Sequence, residues 1–557
     1  MQKLLRWLDD NVLAVLSACL IIFIPLYPKL PLLDILPGYI VRVRLEDFVI
    51  SFTILLWIVW LIRGKVRLLD NPLFKPIALY LVIGLLSMIS AIFITQTVPL
   101  QALHIAKMFL HFLRRVEYFS LFFIFYSTVN NLRLLKTYLI FLLIAVTGVA
   151  LYGFGQKYLY WPAFSTMNRE YSKGWMLYLT QHARVISTFG GHYDLAAYVM
   201  MMLVILWSLF FSLKKWFLKA LIFLIIAAAF WTLILTASRT SFIAYLGGLT
   251  FAFFLFAFKH GIKWSLKRWV TVITLSIVVM LSFGDLSERF TKLLRIDDRI
   301  AGFRSLLTSP IGKPPSEKAI FLENNPQAAL AEITAKSDQP PSLTRPSDVY
   351  QDIPLSVQTG STSGEIVNTQ RTYSKTAYLY DLSTAIRLDA LWPMALKGFK
   401  RNVLLGSGYS TLNKTQSTQF TEAESTDNDY LRSLGETGLL GFAAFYGILL
   451  FILYYVWRNL TVLRDPIIFG LAVGLGGLLF GLLVNAVYID VFESSKVAFL
   501  FWATVGFILG GINYLKKGKP NNPPPVMPGF ADFKKTFVQR TARFLRSDLF
   551  FLILILT

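Results

Sequence analysis

The sequence predicts an all-α, polytopic integral membrane protein of about twelve transmembrane helices with one large extracytoplasmic loop. Three observations carry this prediction. Of the 557 residues, 55% are hydrophobic and only 15% are charged, and the mean hydropathy is +0.57, an excess of apolar sequence that a soluble core does not need. The apolar residues gather in a dozen runs, each near the ~20 residues of a spanning helix. Basic residues recur in every second connection between those runs, the pattern that places such connections in the cytoplasm.

In order, the runs are 12–25, 48–62, 76–94, 109–129, 134–151, 195–213, 217–237, 242–258, 269–283, 439–457, 467–487 and 497–514. The first carries Leu16-Ser17-Ala18-Cys19, the outline of a lipoprotein cleavage site. Asp9 and Asp10 precede it and apolar residues follow, so Cys19 reads as part of an uncleaved first helix. As the chain's single cysteine, it excludes an intrachain disulfide framework and a cysteine metal cluster. Lys3 and Arg6 begin the basic series. It continues through Arg63, Lys65, Arg67 and Lys75, then Arg133 and Lys136, then Lys214, Lys215 and Lys219. Lys259, Lys263, Lys267 and Arg268 follow, then Arg458 and Arg464, and last Lys516, Lys517 and Lys519. Arg42 and Arg44 are the exceptions on the other side. Both termini are therefore expected in the cytoplasm. The net charge of +22 is spent on lipid-facing helix ends, and no nucleic-acid partner is expected.

Four parts follow from this layout: a membrane bundle over 1–284, the extracytoplasmic loop over 285–390, the stretch 391–515 with the last three spans, and a basic tail over 516–557. Within the loop, 310–363 is rich in Pro, Ser, Thr, Asp and Glu and reads as an irregular insertion, while 373–391 regains helical periodicity. The tail holds Lys534, Lys535, Arg540, Arg543 and Arg546 in an amphipathic piece suited to the inner leaflet. Its terminal LFFLILILT is too short to span.

The chemistry concentrates on the outer side. Lys219 and Lys259 each lie 20 residues from Arg239, one bilayer's worth of helix on either side, so Arg239 sits in an outer hairpin with no loop. A snorkelling arginine there costs little. A guanidinium at headgroup depth is also suited to bidentate contact with a substrate phosphate. Arg184 and Arg387 fall on the same side. So does Asp427, in DNDYLRSLGETG, where Asp427 or Asn428 is placed to cap a short helix that runs into the membrane. Any one of these could be a solvated loop charge; together they mark a site. His182 and His192 flank Arg184. His104 and His111 share a helix face with Lys107 but make no metal site, and Glu46-Asp47 flank the second span. No phosphate loop, HExxH or nucleophile elbow occurs.

The stretches DALWPMALKGFKRNVLLGSGYSTL and DNDYLRSLGETGLLGF resemble the signature region of O-antigen ligases and O-antigen polymerases. ARVISTFGGHYDLAAY, TASRTSFIAYLGG and YIDVFESSKVAFLFW match in the same order, and the resemblance covers roughly 47–515. It implies a GT-C-like membrane glycosyltransferase at the outer face of the bacterial cytoplasmic membrane. The donor would be an undecaprenyl-diphosphate-linked glycan, and the acceptor a hydroxyl on a glycan, lipid or protein. It implies no cofactor, metal-independent inverting chemistry, membrane lipid as a partner, and components of a polysaccharide export pathway as protein partners. By motif, Arg184, Arg239 and Arg387 would hold the diphosphate. Asn428, Tyr430, Arg432, Trp392 and His192 would orient acceptor or sugars, with Trp392 and Tyr409 covering the cavity. The ligases usually place a histidine before the Asn; here Asp427 stands there as the expected base, which favours polymerase over ligase. The other function class is a transporter or flippase for lipid-linked or other anionic glycans. It would need the same arginines, but the two related halves common in transporters are absent.

Overall fold

The computed structural model describes residues 2–33, 42–66, 68–167, 171–180, 183–283, 356–360, 366–370, 374–379, 382–412 and 426–517. The expected tail beyond Lys517, most of the 310–363 insertion, and His182 lie outside the described residues. The chain divides into two bodies, one of residues 1–287 with 395–557 and one of residues 288–394.

The first body is helical. Nine long helices come first: α1 (Gln2–Leu26), α2 (Leu45–Ile62), α3 (Phe74–Phe93), α4 (Ala102–Thr128), α5 (Leu132–Tyr158), α6 (His192–Ser212), α7 (Trp216–Leu235), α8 (Arg239–His260) and α9 (Ile262–Ser282). Among the described residues, eleven helices of the body are long and apolar enough to cross a membrane, and the chain is a multi-pass membrane protein. α4 is the exception: at 27 residues it is long enough, but it carries Lys107, Arg114, Arg115 and Glu117. A strand pair, β1 (Pro31–Leu33) with β2 (Val43–Arg44), joins α1 to α2.

In the second body, β3 (Ser356–Gly360) pairs antiparallel with β4 (Ile366–Gln370). The first of these strands falls inside the expected irregular insertion. Its Ser-Val-Gln-Thr alternation, facing Ile-Val-Asn-Thr, has the β-branched content that favours pairing. The periodicity read over 373–391 becomes α10 (Lys375–Leu379), α11 (Leu382–Ile386) and a π turn, Arg387–Leu391.

α12 (Trp392–Arg401) then leads back into the first body, whose last three helices are α13 (Asp429–Leu460), α14 (Pro466–Asn485) and α15 (Ser495–Lys517). Local chemistry sets their starts. Asn428 accepts from Leu431 N to cap α13, and Asp465 caps α14 with Pro466 in the first turn. α13 is broken at Gly438, with φ 66° and ψ −167°, a region open in practice only to glycine.

α14 is the centre of the body, packed against α6 and α8 and buried for most of its length. Its glycines allow that approach. A Cβ on Gly477 would lie 2.7 Å from Gly248 O, and one on Gly248 would lie 2.8 Å from Gly477 O, so α8 and α14 touch backbone to backbone. α15 packs along α4 through Tyr118 on Phe499 and Phe119 on Trp502. α3 meets the break in α13, where Ser87 Oγ donates to Leu405 O at 2.7 Å and Glu436 O at 3.0 Å.

Candidate functional site

The end of α14 gathers most of the sequence-marked residues of the first body. On one side stands the α7–α8 hairpin. Only Thr236, Ala237 and Ser238 separate the two helices, as the lysine spacing requires. Ser238 caps α8 by accepting from Ser241 N, which leaves Arg239 as the first residue of the helix. Asn485 Nδ2 donates to Ser241 Oγ at 3.2 Å, so the last residue of α14 is tied to the start of α8.

On the other side stands the start of α13. Asp429 N donates to Ala486 O at 2.9 Å, Asn428 Nδ2 to Val487 O at 2.9 Å, and Tyr430 Oη to Leu483 O at 2.6 Å. The hairpin of Arg239 and the segment of Asp427, Asn428, Tyr430 and Arg432 therefore flank one turn of chain, 485–487.

The Arg184 loop joins them. Val185 N donates to Leu235 O at 3.2 Å, which docks the loop on the last residue of α7. Arg184 Nη1 donates to His192 Nε2 at 2.6 Å, and His192 opens α6. The loop is pinned from below. Gln156 accepts from Ser187 N at 2.7 Å and donates to Ser187 O at 2.9 Å, while the fully buried Lys496 donates to Thr188 O at 2.8 Å and to Tyr27 O. Arg184, His192, Arg239 and the start of α13 are thus brought to one end of the bundle.

Asp427 itself is held in a strained backbone, with φ 50°. The cause is Asp490, in the connection between α14 and α15. Its buried carboxylate accepts from Thr426 N at 3.1 Å, Thr426 Oγ1 at 3.2 Å, Asn428 N at 2.7 Å and Arg432 Nη1 at 2.9 Å. Two amides bound on either side of Asp427 force it into the left-handed region, which aspartate tolerates better than most residues. Of the two capping choices open in the sequence, Asn428 takes the cap.

Beside this segment lies a charged cavity that sequence reasoning missed. It is lined by Tyr80 of α3, Arg115 of α4, Tyr409, and Asp429, Arg432 and Glu436 of α13, with Glu493 from the 486–494 connection. Arg115 Nη2 bonds Glu493 Oε1 and lies 3.4 Å from Glu436 Oε2. Arg432 Nε lies 3.4 Å from Glu436 Oε1. Tyr409, read as a cover for the site, is fully buried and stacks beneath the Arg115 guanidinium. Burial pushes the Glu493 carboxyl above the ordinary glutamate range, with Arg115 and Arg432 pulling the other way and Glu436 and Asp490 adding to the rise. The one sequence signal was the three charges, Arg114, Arg115 and Glu117, inside the apolar run 109–129, which are unusual in a membrane segment.

The remaining marked residues go elsewhere. Arg387 and Trp392 belong to the second body, where Arg387 Nη1 donates to Ser383 O at 2.8 Å; the contacts around α14 all lie within the first body. Glu46 and Asp47 do more than flank a helix. Glu46 is fully buried 3.6 Å from Arg44, and Asp47 accepts from Arg44 N at 2.9 Å and pairs with Arg114 at 2.6 Å. That pairing explains why Arg44 breaks the basic alternation: its charge is matched inside the protein. Among the described residues no group of three or more His, Cys, Asp or Glu is arranged to hold a metal.

Comparison with known proteins gives one family match, described as O-antigen ligase, over residues 224–446. The matched stretch runs from within α7 into α13 and includes Arg239, Arg387, Trp392 and Asp427 to Arg432. Arg115, Arg184, His192, Asp490 and Glu493 fall outside it. No curated protein matches the chain.

Proposed function

We propose that the chain, which matches the O-antigen ligase family over residues 224–446, transfers a glycan from an undecaprenyl-diphosphate-linked donor to a sugar hydroxyl of a second glycan at the outer face of the cytoplasmic membrane. The observation that carries this reading is the convergence of Arg184, Arg239 and the Asp427 segment on the end of α14. Two guanidiniums at headgroup depth match a diphosphate in charge and geometry. They stabilise the charge that grows on the leaving lipid diphosphate as the anomeric bond breaks, which is the task a metal performs elsewhere.

The acceptor oxygen attacks the anomeric carbon from the face opposite the diphosphate, so the configuration inverts. Its proton passes to Asp427, whose backbone is held at φ 50° between the two amides bound by Asp490. Tyr430 and Asn428 are tied to α14 and frame the segment rather than swing freely.

The test is a double variant, Arg184→Ala with Arg239→Ala, in the purified protein supplied with lipid-linked repeat units. Chain growth should fall about a hundredfold or more, the scale set by losing charge stabilisation of a leaving group. A double variant that extends chains at the wild-type rate would remove the arginines from the reaction. Transport of lipid-linked glycan without any chain growth in the wild type would replace the transferase reading with a flippase.

A further inference from the structure

We propose that the cavity between α3, α4 and the start of α13 is an acceptor subsite that takes the hydroxyl-bearing edge of a neutral sugar; the proposal rests on the transferase reading above. Charge decides the ligand class first. The lining holds two guanidiniums, Arg115 and Arg432, against three carboxylates, Asp429, Glu436 and Glu493, and Arg432 is also bonded to Asp490. No positive charge is left over for a phosphate, so the cavity does not duplicate the arginine site at the α7–α8 hairpin.

Hydrogen-bonding capacity decides next. Tyr409 is 1% exposed, and its hydroxyl meets that of Tyr80 only loosely, short of full hydrogen-bond geometry. Arg115 Nε is likewise buried without a partner. Burial drives the Tyr409 phenol well above its ordinary range, so it stays a donor. Buried donors short of a full hydrogen bond cost stability, and both residues line the cavity.

The carboxylates divide in a useful way. Glu436 is committed, accepting from Ser410 N at 3.0 Å and facing both arginines. Glu493 gives Oε1 to Arg115, but its Oε2 lies 4.0 Å from Arg432, beyond hydrogen-bond reach. Its side chain is 19% exposed, against 3% for Glu436. One open carboxylate oxygen, two open donors, and walls of Tyr80, Tyr118, Phe445 and Trp502 suit sugar hydroxyls and the apolar face of the ring carrying them. The cavity is small, so it admits one edge of a ring and leaves the rest of the glycan outside.

The experiment uses the full-length protein in liposomes, the undecaprenyl-diphosphate-linked repeat unit as donor, and the same repeat-unit oligosaccharide without lipid as acceptor. Glu493→Gln keeps the acceptor oxygen for Arg115 and removes the charge. Tyr409→Phe keeps the ring that stacks beneath Arg115 and removes a hydroxyl that makes no full hydrogen bond in the protein, so it folds even where the first variant does not. The half-saturating acceptor concentration should rise about tenfold for Glu493→Gln and about fivefold for Tyr409→Phe, the scale of one lost hydrogen bond, with donor half-saturation unchanged. A wild type that transfers, with acceptor dependence unmoved in Tyr409→Phe or with donor dependence moved instead, overturns the subsite alone. A wild type that transfers nothing overturns the transferase reading and the subsite with it.

Discussion

At the residue scale, Asp427 and Arg239 separate chemistry from architecture. Asn tolerates left-handed backbone about as well as Asp and Asn428 already supplies the cap, so Asp427→Asn should melt within a few tenths of a kcal/mol of wild type, while turnover falls on the order of a hundredfold. Asp427→Gly is the complementary variant. Glycine adopts φ 50° freely, so its melting temperature should equal or exceed that of the wild type, with activity lost. Normal turnover in a stable Asp427→Asn protein would take Asp427 out of the reaction. Arg239→Lys keeps the charge and the snorkel but loses the planar fork; membrane insertion should be normal and activity should drop at least about tenfold.

Glu493 adds a pH dependence whose sign follows from its raised pKa. A carboxyl raised in the folded state contributes stability that is fully present below the ordinary glutamate value of about 4.3. That stability is lost as pH rises through the folded value. Glu493→Gln stays neutral throughout. Its melting temperature relative to wild type should therefore climb as pH rises through the window above 4.3, and a flat or falling difference would contradict the assignment. Arg184, Arg239 and Asp427 were legible in the sequence because a charge in a connection between apolar runs stands out. The cavity was not: Arg115 meets Glu436 and Glu493 across separations of 321 and 378 residues, and each acid alone looks like an ordinary helix-flanking charge.

At the element scale, one break in one helix shapes the approach to the site. The apolar run at 439–457 was legible as a span, and the polar piece before it as a helix start. The left-handed kink between them shows only in the structure, because Gly438 reads in sequence as a mere loosening. A Cβ there would meet Leu404 O at 2.4 Å as well as a backbone region closed to other residues. Gly406, from the facing turn, would likewise drive a Cβ to 2.6 Å from Glu436 O. The two segments are packed main chain against main chain, with Ser407 N and Gly408 N donating to Gly435 O and Glu436 O at 2.9 Å each. Gly438→Ala should cost about 3 kcal/mol or more and show as lost monodisperse protein in detergent; wild-type thermal stability in that variant would refute the kink as a required element. α4 was read as a span of ordinary apolar sequence, since the main partners of its charges, Asp47, Glu436 and Glu493, are remote in the chain.

At the scale of the whole molecule, eleven of the twelve expected spans correspond to helices long and apolar enough to cross a membrane among the described residues, because hydrophobic length is a local property. Their packing around α14 was not legible in the sequence, because glycine spacing names a close approach without naming the partner. The basic connections lead us to expect both termini in the cytoplasm, and a labelling experiment tests which face the candidate residues serve. A cysteine at Ser425 in a Cys19→Ser background should react with an impermeant maleimide in intact cells. Labelling only after the membrane is opened would invert the topology and remove the outer-face reaction.

The central claim is that this end of the bundle joins glycans at the expense of a lipid diphosphate. It is tested most directly by purified protein in liposomes supplied with undecaprenyl-diphosphate-linked repeat units, with chain length followed on a gel and released undecaprenyl diphosphate measured in the same samples. The account predicts a ladder of longer chains, one lipid diphosphate released per bond formed, and neither product from the Arg184→Ala, Arg239→Ala double variant. Repeat units left unextended by folded wild-type protein, or diphosphate released by hydrolysis without chain growth, would contradict it.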